Sequence, residues 1–191
     1  MGLLKPETSK YEIKFITMKK IIFPVISIVV ILLASCNNDA PYSINQWKKD
    51  NVNYFNNMKD SAGFIKDTVA TTAGNLTYYY KIITNGNLTG GSPTSTSYVT
   101  VNYKGKLING SVFDKTYKSS NPVNDSTAVP RSFYANQLIT GWTANLVQMK
   151  VGEFRTVVIP KELGYGIYGM SPSIPPYATL RFDIQLISYS N

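Results

Sequence analysis

The sequence predicts an α+β domain in which an antiparallel β-sheet half-wraps one short α-helix, with an extra helix on the N-terminal side. Residues 138–149 carry the one convincing helical stripe of the C-terminal half, because Trp142, Leu146 and Met149 are spaced i, i+4 and i+7. The segments before and after it alternate apolar and polar residues with a period of two. A lone helix with one apolar face has to bury that face, so we expect the strands to form a sheet across it.

The first 36 residues are predicted to be a signal region. Met18-Lys-Lys begins a short positive stretch, and residues 21–33 are mostly apolar but too few to span a bilayer. The following Leu33-Ala-Ser-Cys36 resembles the bacterial lipoprotein box, whose cysteine is lipidated and becomes the first residue of the mature protein. We therefore predict translation from Met18 and a lipid anchor at Cys36. The alternative is an ordinary signal sequence with an incidental cysteine.

Residues 37–75 are predicted to contain a tether and the N-terminal helix. Ser43 and Gln46 have the spacing of a capping box. One helical face then carries a seam of largely apolar residues, Ile44, Trp47, Asn51, Phe55 and Met58. The sequence leaves two arrangements open for this seam: docking on its own domain, or pairing with a second copy in a homodimer. Residues 61–74 are mixed and small, and they indicate only a loosely specified connection.

Residues 76–191 are predicted to form the sheet and its helix. A strand from Leu76 ends near Asn85-Gly86, residues 87–97 form a loop, and a hairpin turns at Asn109-Gly110. Residues 115–131 are polar and predict an exposed loop, and residues 132–139 a short strand leading into the helix. That helix is expected to be capped by Thr140 and stopped by Gly152.

Two further strands follow the helix, at residues 154–159 and 179–187. In the last strand Leu180, Phe182, Ile184 and Leu186 point one way. Arg181, Asp183 and Gln185 point the other way. The pattern indicates a sheet with one face against the helix and one face in water.

Composition excludes several classes of site. The chain has no histidine, which excludes imidazole acid–base catalysis, Ser-His triads and His-ligated metals. Its single cysteine excludes internal disulfides and thiolate zinc sites. We therefore predict no metal and no cofactor. After residue 36 the chain has fourteen basic and nine acidic residues, and the basic ones are scattered singly, so we predict no nucleic-acid partner.

Five motifs stand in a recognisable order along the domain. They are Val101-Asn-Tyr-Lys-Gly105, Gly110-Ser-Val-Phe-Asp114, Leu138-Ile-Thr-Gly-Trp142, Met149-Lys-Val-Gly-Glu153 and a stretch from Glu162 through Tyr165 and Ile174-Pro-Pro to Phe182. Together they resemble the FKBP-type peptidyl-prolyl cis-trans isomerases over residues 76–189. The resemblance implies the same fold that the periodicity predicts.

The resemblance also implies a pocket. It assigns catalytic positions to Tyr103, Phe113, Asp114, Ile139, Trp142, Tyr165 and Phe182, and substrate contacts to Leu138, Met170 and Ile174. Trp142 is then the floor and Asp114 part of the wall, while the N–H of Ile139 and the hydroxyl of Tyr165 bind substrate carbonyls. Two departures concern the rim: the segment after Asp114 is longer than in minimal members, and Arg131 lies near a position that is aromatic in some relatives. Met170 stands in the mobile loop where some relatives have a histidine.

The implied function is isomerisation of proline-containing polypeptides, which suits these residue types. Rotation about an X-Pro bond has a barrier of roughly 18 to 20 kcal/mol and breaks no bond, so it requires no nucleophile, metal or titrating base. With the lipobox, this predicts a lipid-anchored enzyme of the bacterial cell envelope, at the outer membrane facing the periplasm, that assists the folding of exported proteins. The alternatives are a non-catalytic chaperone or binding module with the same pocket, and a plain surface-interaction lipoprotein.

Overall fold

The computed structural model describes residues 42–191. The predicted signal region, the lipidation site at Cys36 and most of the tether lie outside the described residues. Residues 43–191 cluster as one unit. Within the described range, none of the helices has the length and apolar character needed to cross a bilayer.

Seven antiparallel strands form one sheet, in the spatial order β1-β2-β6-β7-β3-β4, with β5 also paired to β3. The strands are β1 (Ile65–Thr71), β2 (Gly74–Thr84), β3 (Tyr98–Lys106), β4 (Val112–Lys115), β5 (Arg131–Tyr134), β6 (Phe154–Ile159) and β7 (Leu180–Ser190). Strands β6, β7 and β3 are central in this order, and all six residues of β6 are buried. The sheet and the short helix beside it confirm the predicted fold class.

The short helix α2 (Thr140–Leu146) packs its apolar stripe against the sheet. Trp142, Leu146 and Met149 are all buried, as the spacing predicts. The predicted ends of this helix were wrong. Thr140 is its first residue, behind an N-cap at Ile139 that makes no side-chain capping bond, and the helix stops well before Gly152. Gly152, with a φ of 85°, instead forms the turn before β6.

Two polar residues that lie outside the predicted apolar faces are nevertheless buried. Asn145 on α2 is fully enclosed, and its side-chain oxygen accepts a hydrogen bond from Arg155 Nη1 at 3.3 Å. Asp183 on β7 is 7% exposed and accepts hydrogen bonds from Thr156 and Lys106 at 2.7 and 2.9 Å. Hydrogen bonding explains both positions, because a buried polar group is tolerated when its partners replace water.

The segment predicted as a loose connection contains a strand instead. Strand β1 lies within it and pairs residue by residue with β2 across a turn at Gly74, whose φ is 103°. Its Asp67 accepts a 2.6 Å hydrogen bond from Tyr78 of β2. The side chains of β1 alternate between exposed and half-buried rather than between exposed and buried, so the period-two signal in the sequence is weak.

The β3–β4 hairpin forms as predicted, with Gly110 at a φ of 86°. The predicted exposed loop at residues 115–131, however, is ordered around a buried residue. The ring of Tyr117 is 2% exposed and lies under Lys104 Nζ, 4.3 Å from the ring centroid. Asp125 accepts the N–H groups of Lys118 and Ser119 at 2.6 and 2.7 Å. A loop of this length is therefore held in one shape by its own hydrogen bonds.

The N-terminal helix α1 (Ile44–Asn56) continues into a 3-10 turn, Asn57–Asp60. Ser43 Oγ accepts the N–H of Gln46 at 3.1 Å, but the Gln46 side chain donates to Asp50, so only half of the predicted capping box forms. Ile44, the first residue of the predicted apolar seam, is 49% exposed, so the seam is not buried along its whole length.

The helix α1 docks on its own domain through two buried residues. Trp47 Nε1 donates to the carbonyl of Pro176 at 2.8 Å. Asn51 accepts the N–H of Thr179 at 2.7 Å and its backbone carbonyl accepts the Thr179 hydroxyl at 3.1 Å. Of the two arrangements left open by the sequence, the docked one is therefore present.

Candidate active site

A cavity of about 220 Å³ opens between the sheet, the start of α2 and the loop before β7. Its lining consists of Tyr103, Phe113, Asp114, Phe133, Gln137, Leu138, Ile139, Trp142, Tyr165, Met170 and Phe182. The seven positions predicted as catalytic all lie on it, together with Leu138 and Met170 from the predicted substrate contacts. Residues from five parts of the chain thus converge on one space.

The floor of the cavity is built from aromatic rings set edge to face. The Trp142 ring lies 5.2 Å from that of Tyr103 and 5.1 Å from that of Phe182, with interplanar angles of 84° and 89°. Phe113 meets Phe182 in the same way at 5.4 Å and 88°. Such pairs are favoured by the ring quadrupoles and leave little freedom to any one ring. The floor is therefore apolar and closely packed.

Gly105 makes this aromatic arrangement sterically feasible. It lies on β3 opposite Asp114 of β4 and Phe182 of β7. A Cβ atom at this position would come within 2.5 Å of the Phe113 ring and 2.8 Å of the Phe182 ring. Both distances are shorter than van der Waals contact, so any side chain here would displace the rings.

A polar group of three residues stands at the mouth. The Tyr103 hydroxyl donates a hydrogen bond to Asp114 Oδ2 and accepts one from Arg131 Nη1 at 2.9 Å. Arg131 Nη1 also lies 3.3 and 3.4 Å from the two Asp114 carboxylate oxygens. Burial, and then the neighbouring Asp114 carboxylate, raise the pKa of Tyr103. The hydroxyl therefore keeps its proton and holds the carboxylate by hydrogen bonding.

The other polar donors are Tyr165 and the backbone of Ile139. Burial and the charge of Asp114 raise the pKa of Tyr165, so its hydroxyl is also protonated at neutral pH. In the part of the chain that the structure describes, the N–H of Ile139 has no backbone or side-chain acceptor. Both groups are on the cavity lining and can donate to carbonyl oxygens of a bound chain.

The loop carrying Tyr165 and Met170 is pinned at its base. Met170 and Ile174 exchange two backbone hydrogen bonds of 2.8 Å each, and the N–H of Gly169 donates to the carbonyl of Tyr165 at 3.1 Å. Gly169 has a φ of 69°, and a Cβ there would meet the Ile174 carbonyl at 2.3 Å. Ile174 itself is 1% exposed and does not line the cavity, so its predicted position as a substrate contact was wrong. It supports the loop from behind.

Two lining residues were not predicted from the sequence. Phe133 on β5 lies 6.2 Å from the ring of Tyr103, and Gln137 lies in the turn before α2. Phe133 stands two residues after Arg131 on a strand and so points to the same side, which is the signal that could have identified it. Gln137 has no comparable sequence signal. Across residues 42–191, no cluster of three or more Asp, Glu, Cys or His side chains is placed to hold a metal ion.

The family comparison decides how this cavity is classified. Residues 90–187 match the family model for the FKBP-type peptidyl-prolyl cis-trans isomerases, which is just over half of the chain. The chain belongs to this family. The FKBP match spans every residue of the cavity lining and confirms the resemblance noted from the five motifs.

Individual FKBP-type relatives agree with this classification. The peptidyl-prolyl cis-trans isomerase Mip of Coxiella burnetii is 39% identical over 123 residues, which cover 64% of this chain and 48% of the relative. A crystal structure of a peptidyl-prolyl cis-trans isomerase from Pseudomonas syringae superimposes with a TM-score of 0.59 at 28% identity, covering 81% of this chain and all of that one. FkpA from Escherichia coli superimposes with a TM-score of 0.56 at 30% identity, covering 97% and 75%. The chain spans about half the length of the curated relatives it matches.

Proposed function

We propose that this protein is a peptidyl-prolyl cis-trans isomerase acting on proline-containing polypeptides. The observation that carries the proposal is the aromatic floor, in which Trp142 is flanked edge-on by Tyr103 and Phe182. The floor has room for a pyrrolidine ring, and protonated donors stand around it. Family membership supports the same activity.

The pocket would act by favouring the twisted amide over the planar one. At the rotational transition state the amide nitrogen and carbonyl lose their resonance, which is the origin of the barrier. The apolar aromatic floor would hold the proline ring, while the Ile139 N–H and the Tyr165 hydroxyl would hold carbonyl groups of the turned chain. Interactions that fit only the turned geometry lower the barrier, because they are stronger in the transition state than in the ground state.

The direct test is the cis-trans exchange rate of a peptide with an apolar residue before proline, followed by exchange NMR with the full chain present. We expect exchange to be faster than the uncatalysed reaction, which takes tens to hundreds of seconds at 25 °C. Binding of the peptide at an unchanged exchange rate would overturn the isomerase proposal. That result would instead identify a chaperone or binding module that uses the same pocket.

The proposed location is the bacterial cell envelope, with a lipid at Cys36 anchoring the protein to the outer membrane and the domain facing the periplasm. Support comes from the sequence Leu33-Ala-Ser-Cys36 after a short apolar stretch. The clients would then be exported proteins that fold after translocation. Metabolic labelling with a radioactive fatty acid tests this: the wild-type chain should be labelled and Cys36→Ala should not. An unlabelled wild-type chain would exclude the anchor.

A further inference from the structure

One charged side chain at the mouth of the cavity has unused hydrogen-bonding capacity. Arg131 directs Nη1 toward Tyr103 and Asp114. Among the described residues, its Nε and Nη2 groups make no hydrogen bond, and its side chain is 54% exposed. The Nε–Nη2 edge of a guanidinium carries two parallel N–H donors, which match the two oxygens of a carboxylate. Arg131 is not itself one of the cavity-lining residues, but its Nη1 contacts two that are, Tyr103 and Asp114, so its two remaining donors lie beside the pocket.

The position of Arg131 is fixed by its surroundings. It is the first residue of β5 and pairs with Val101 of β3, two residues before Tyr103. The ordered loop around Tyr117 leads the chain to this point, and the two contacts of Nη1 orient the guanidinium. The side chain has then lost part of its freedom before any ligand arrives, which lowers the entropic cost of forming an ion pair.

The charge balance at the mouth depends on the same residue. Among the described residues that line the cavity, Asp114 is the one with an acidic side chain, and that side chain is 41% exposed. Without Arg131 this carboxylate would repel an acidic chain and attract a basic one. With Arg131 the two charges balance, and the remaining donors favour an anionic group.

We infer that Arg131 is a specificity-determining residue that selects client chains with a glutamate or aspartate next to the proline. This inference rests on the proposed isomerase function and names a substrate class for the same site. The acidic side chain would pair with the Nε–Nη2 edge of Arg131 while the proline ring occupies the aromatic floor.

The experiment compares matched peptides that carry Glu, Gln or Lys at one position beside the proline, on either its N-terminal or its C-terminal side. Affinity is measured by NMR titration and turnover by exchange NMR, at low and high salt. For the wild-type protein we expect the Glu peptide to be favoured over the Gln peptide by about fivefold on one of the two sides, as for a well-oriented exposed ion pair. The preference should shrink as salt is added.

Three variants separate the effect of the paired Nε and Nη2 donors of Arg131 from the effect of its positive charge alone. Arg131→Leu should remove the preference for the Glu peptide. The Lys peptide should then bind best, because the negative charge of Asp114 is no longer balanced. Arg131→Lys keeps the charge but loses the paired donors, so it should retain only part of the preference. Lys115→Leu is the control. It also removes one positive charge, but Lys115 follows Asp114 on β4 and its side chain points to the opposite face of the sheet, so the preference should stay intact.

Two results would overturn the inference: equal affinity of the wild-type protein for Glu and Gln peptides on both sides of the proline, or the same loss in Lys115→Leu as in Arg131→Leu. Failure of the isomerase proposal looks different. In that case exchange stays at its uncatalysed rate for every peptide, whereas the affinity comparison still reports on Arg131.

Discussion

The Tyr103 hydroxyl bridges two opposite charges, because it donates to the Asp114 carboxylate and accepts from Arg131 Nη1 at 2.9 Å. The three side chains come from β3, β4 and β5, so the bridge also joins three strands at the mouth of the pocket. Since Asp114 and Arg131 are each about half exposed, their direct attraction is weakened by water. The tyrosine, which is 4% exposed, therefore gives this polar group its fixed geometry.

Shape-preserving changes in the pocket should slow exchange without unfolding the protein. Tyr165→Phe removes one donor, and Asp114→Asn removes the charge that Tyr103 and Arg131 hold. For each we expect catalysed exchange of an apolar-X-Pro peptide to fall by about two- to tenfold, the effect of losing one ordinary hydrogen bond in the transition state. Tyr168→Phe is the matched control, since Tyr168 is 84% exposed on the same loop. An equal loss in Tyr168→Phe would show that the effect comes from the loop and not from the donor.

We expect Trp142 to contribute to both stability and catalysis. Its ring is 4% exposed and contacts two other rings. Trp142→Ala should lower the free energy of unfolding by about 3 to 5 kcal/mol, the usual range for deleting a buried large aromatic side chain. Urea denaturation followed by circular dichroism measures this. A loss below 1 kcal/mol would mean that the ring is not part of the core.

Removal of the Asn51 side chain should loosen the docking of α1. Asn51 is 1% exposed, and its amide joins Thr179 to the carbonyl of Trp47. Asn51→Ala leaves the buried N–H of Thr179 without its partner, so we expect a loss of about 1 to 3 kcal/mol in the free energy of unfolding. Asn53→Ala, at an exposed position of the same helix, controls for helix propensity. Equal stability of the two variants would mean that α1 is only a spacer.

The same surface allows a test of homodimerisation. Sedimentation of the wild-type protein gives its solution mass. Because the contacts of Trp47 and Asn51 are already made within the chain, we expect a monomer at micromolar concentration. A dimer that Asn51→Ala does not change would place the second copy on the exposed side of α1, where Ile44 and Val52 are about half exposed.

The pH dependence should separate catalysis from stability. With no histidine in the chain, catalysed exchange should be flat between about pH 6 and 9. Burial, and then a neighbouring aspartate, raise the pKa values of Tyr78 and Tyr103. The folded state therefore keeps them neutral above their unfolded value of about 10. Their stabilising effect is complete below about pH 10 and is lost as the pH rises toward the folded-state values. Urea titrations at several pH values measure the decline, which should be smaller in Tyr78→Phe.

The parts of the fold that sequence predicted are those with strong one-sided burial. The stripe of Trp142, Leu146 and Met149 and the alternation of β7 both separate apolar from polar residues cleanly. Strand β1 does not, because it lies at the edge of the sheet and none of its residues is fully buried. Its place depends on pairing with β2, which is a tertiary property that a local pattern does not report.

The site shows a similar division. Tyr103, Phe113, Trp142 and Phe182 could be assigned to the pocket because the five motifs resemble those of the FKBP family, and the structure brings the four side chains together. The contact between Arg131 and Tyr103 could not, since it depends on how the polar segment at residues 115–131 folds around Tyr117. Ile174 was misplaced for a related reason: a rigid Ile-Pro-Pro sequence indicates a fixed backbone but not which side of it faces the cavity.

The register of β2 against β6 affects how this protein should be shortened. The family match begins at residue 90, after β2 has ended, yet β2 pairs with β6 from Tyr79 opposite Val158 to Thr84 opposite Phe154. A fragment starting at residue 90 would leave the wholly buried strand β6 with an unpaired edge and would remove the buried ring of Tyr78 from the core. Exposed apolar edges of this kind recruit strands from other molecules. The smallest fragment that folds should therefore be longer than the segment matched by the family, and trimming to residue 90 should give aggregates rather than a folded domain.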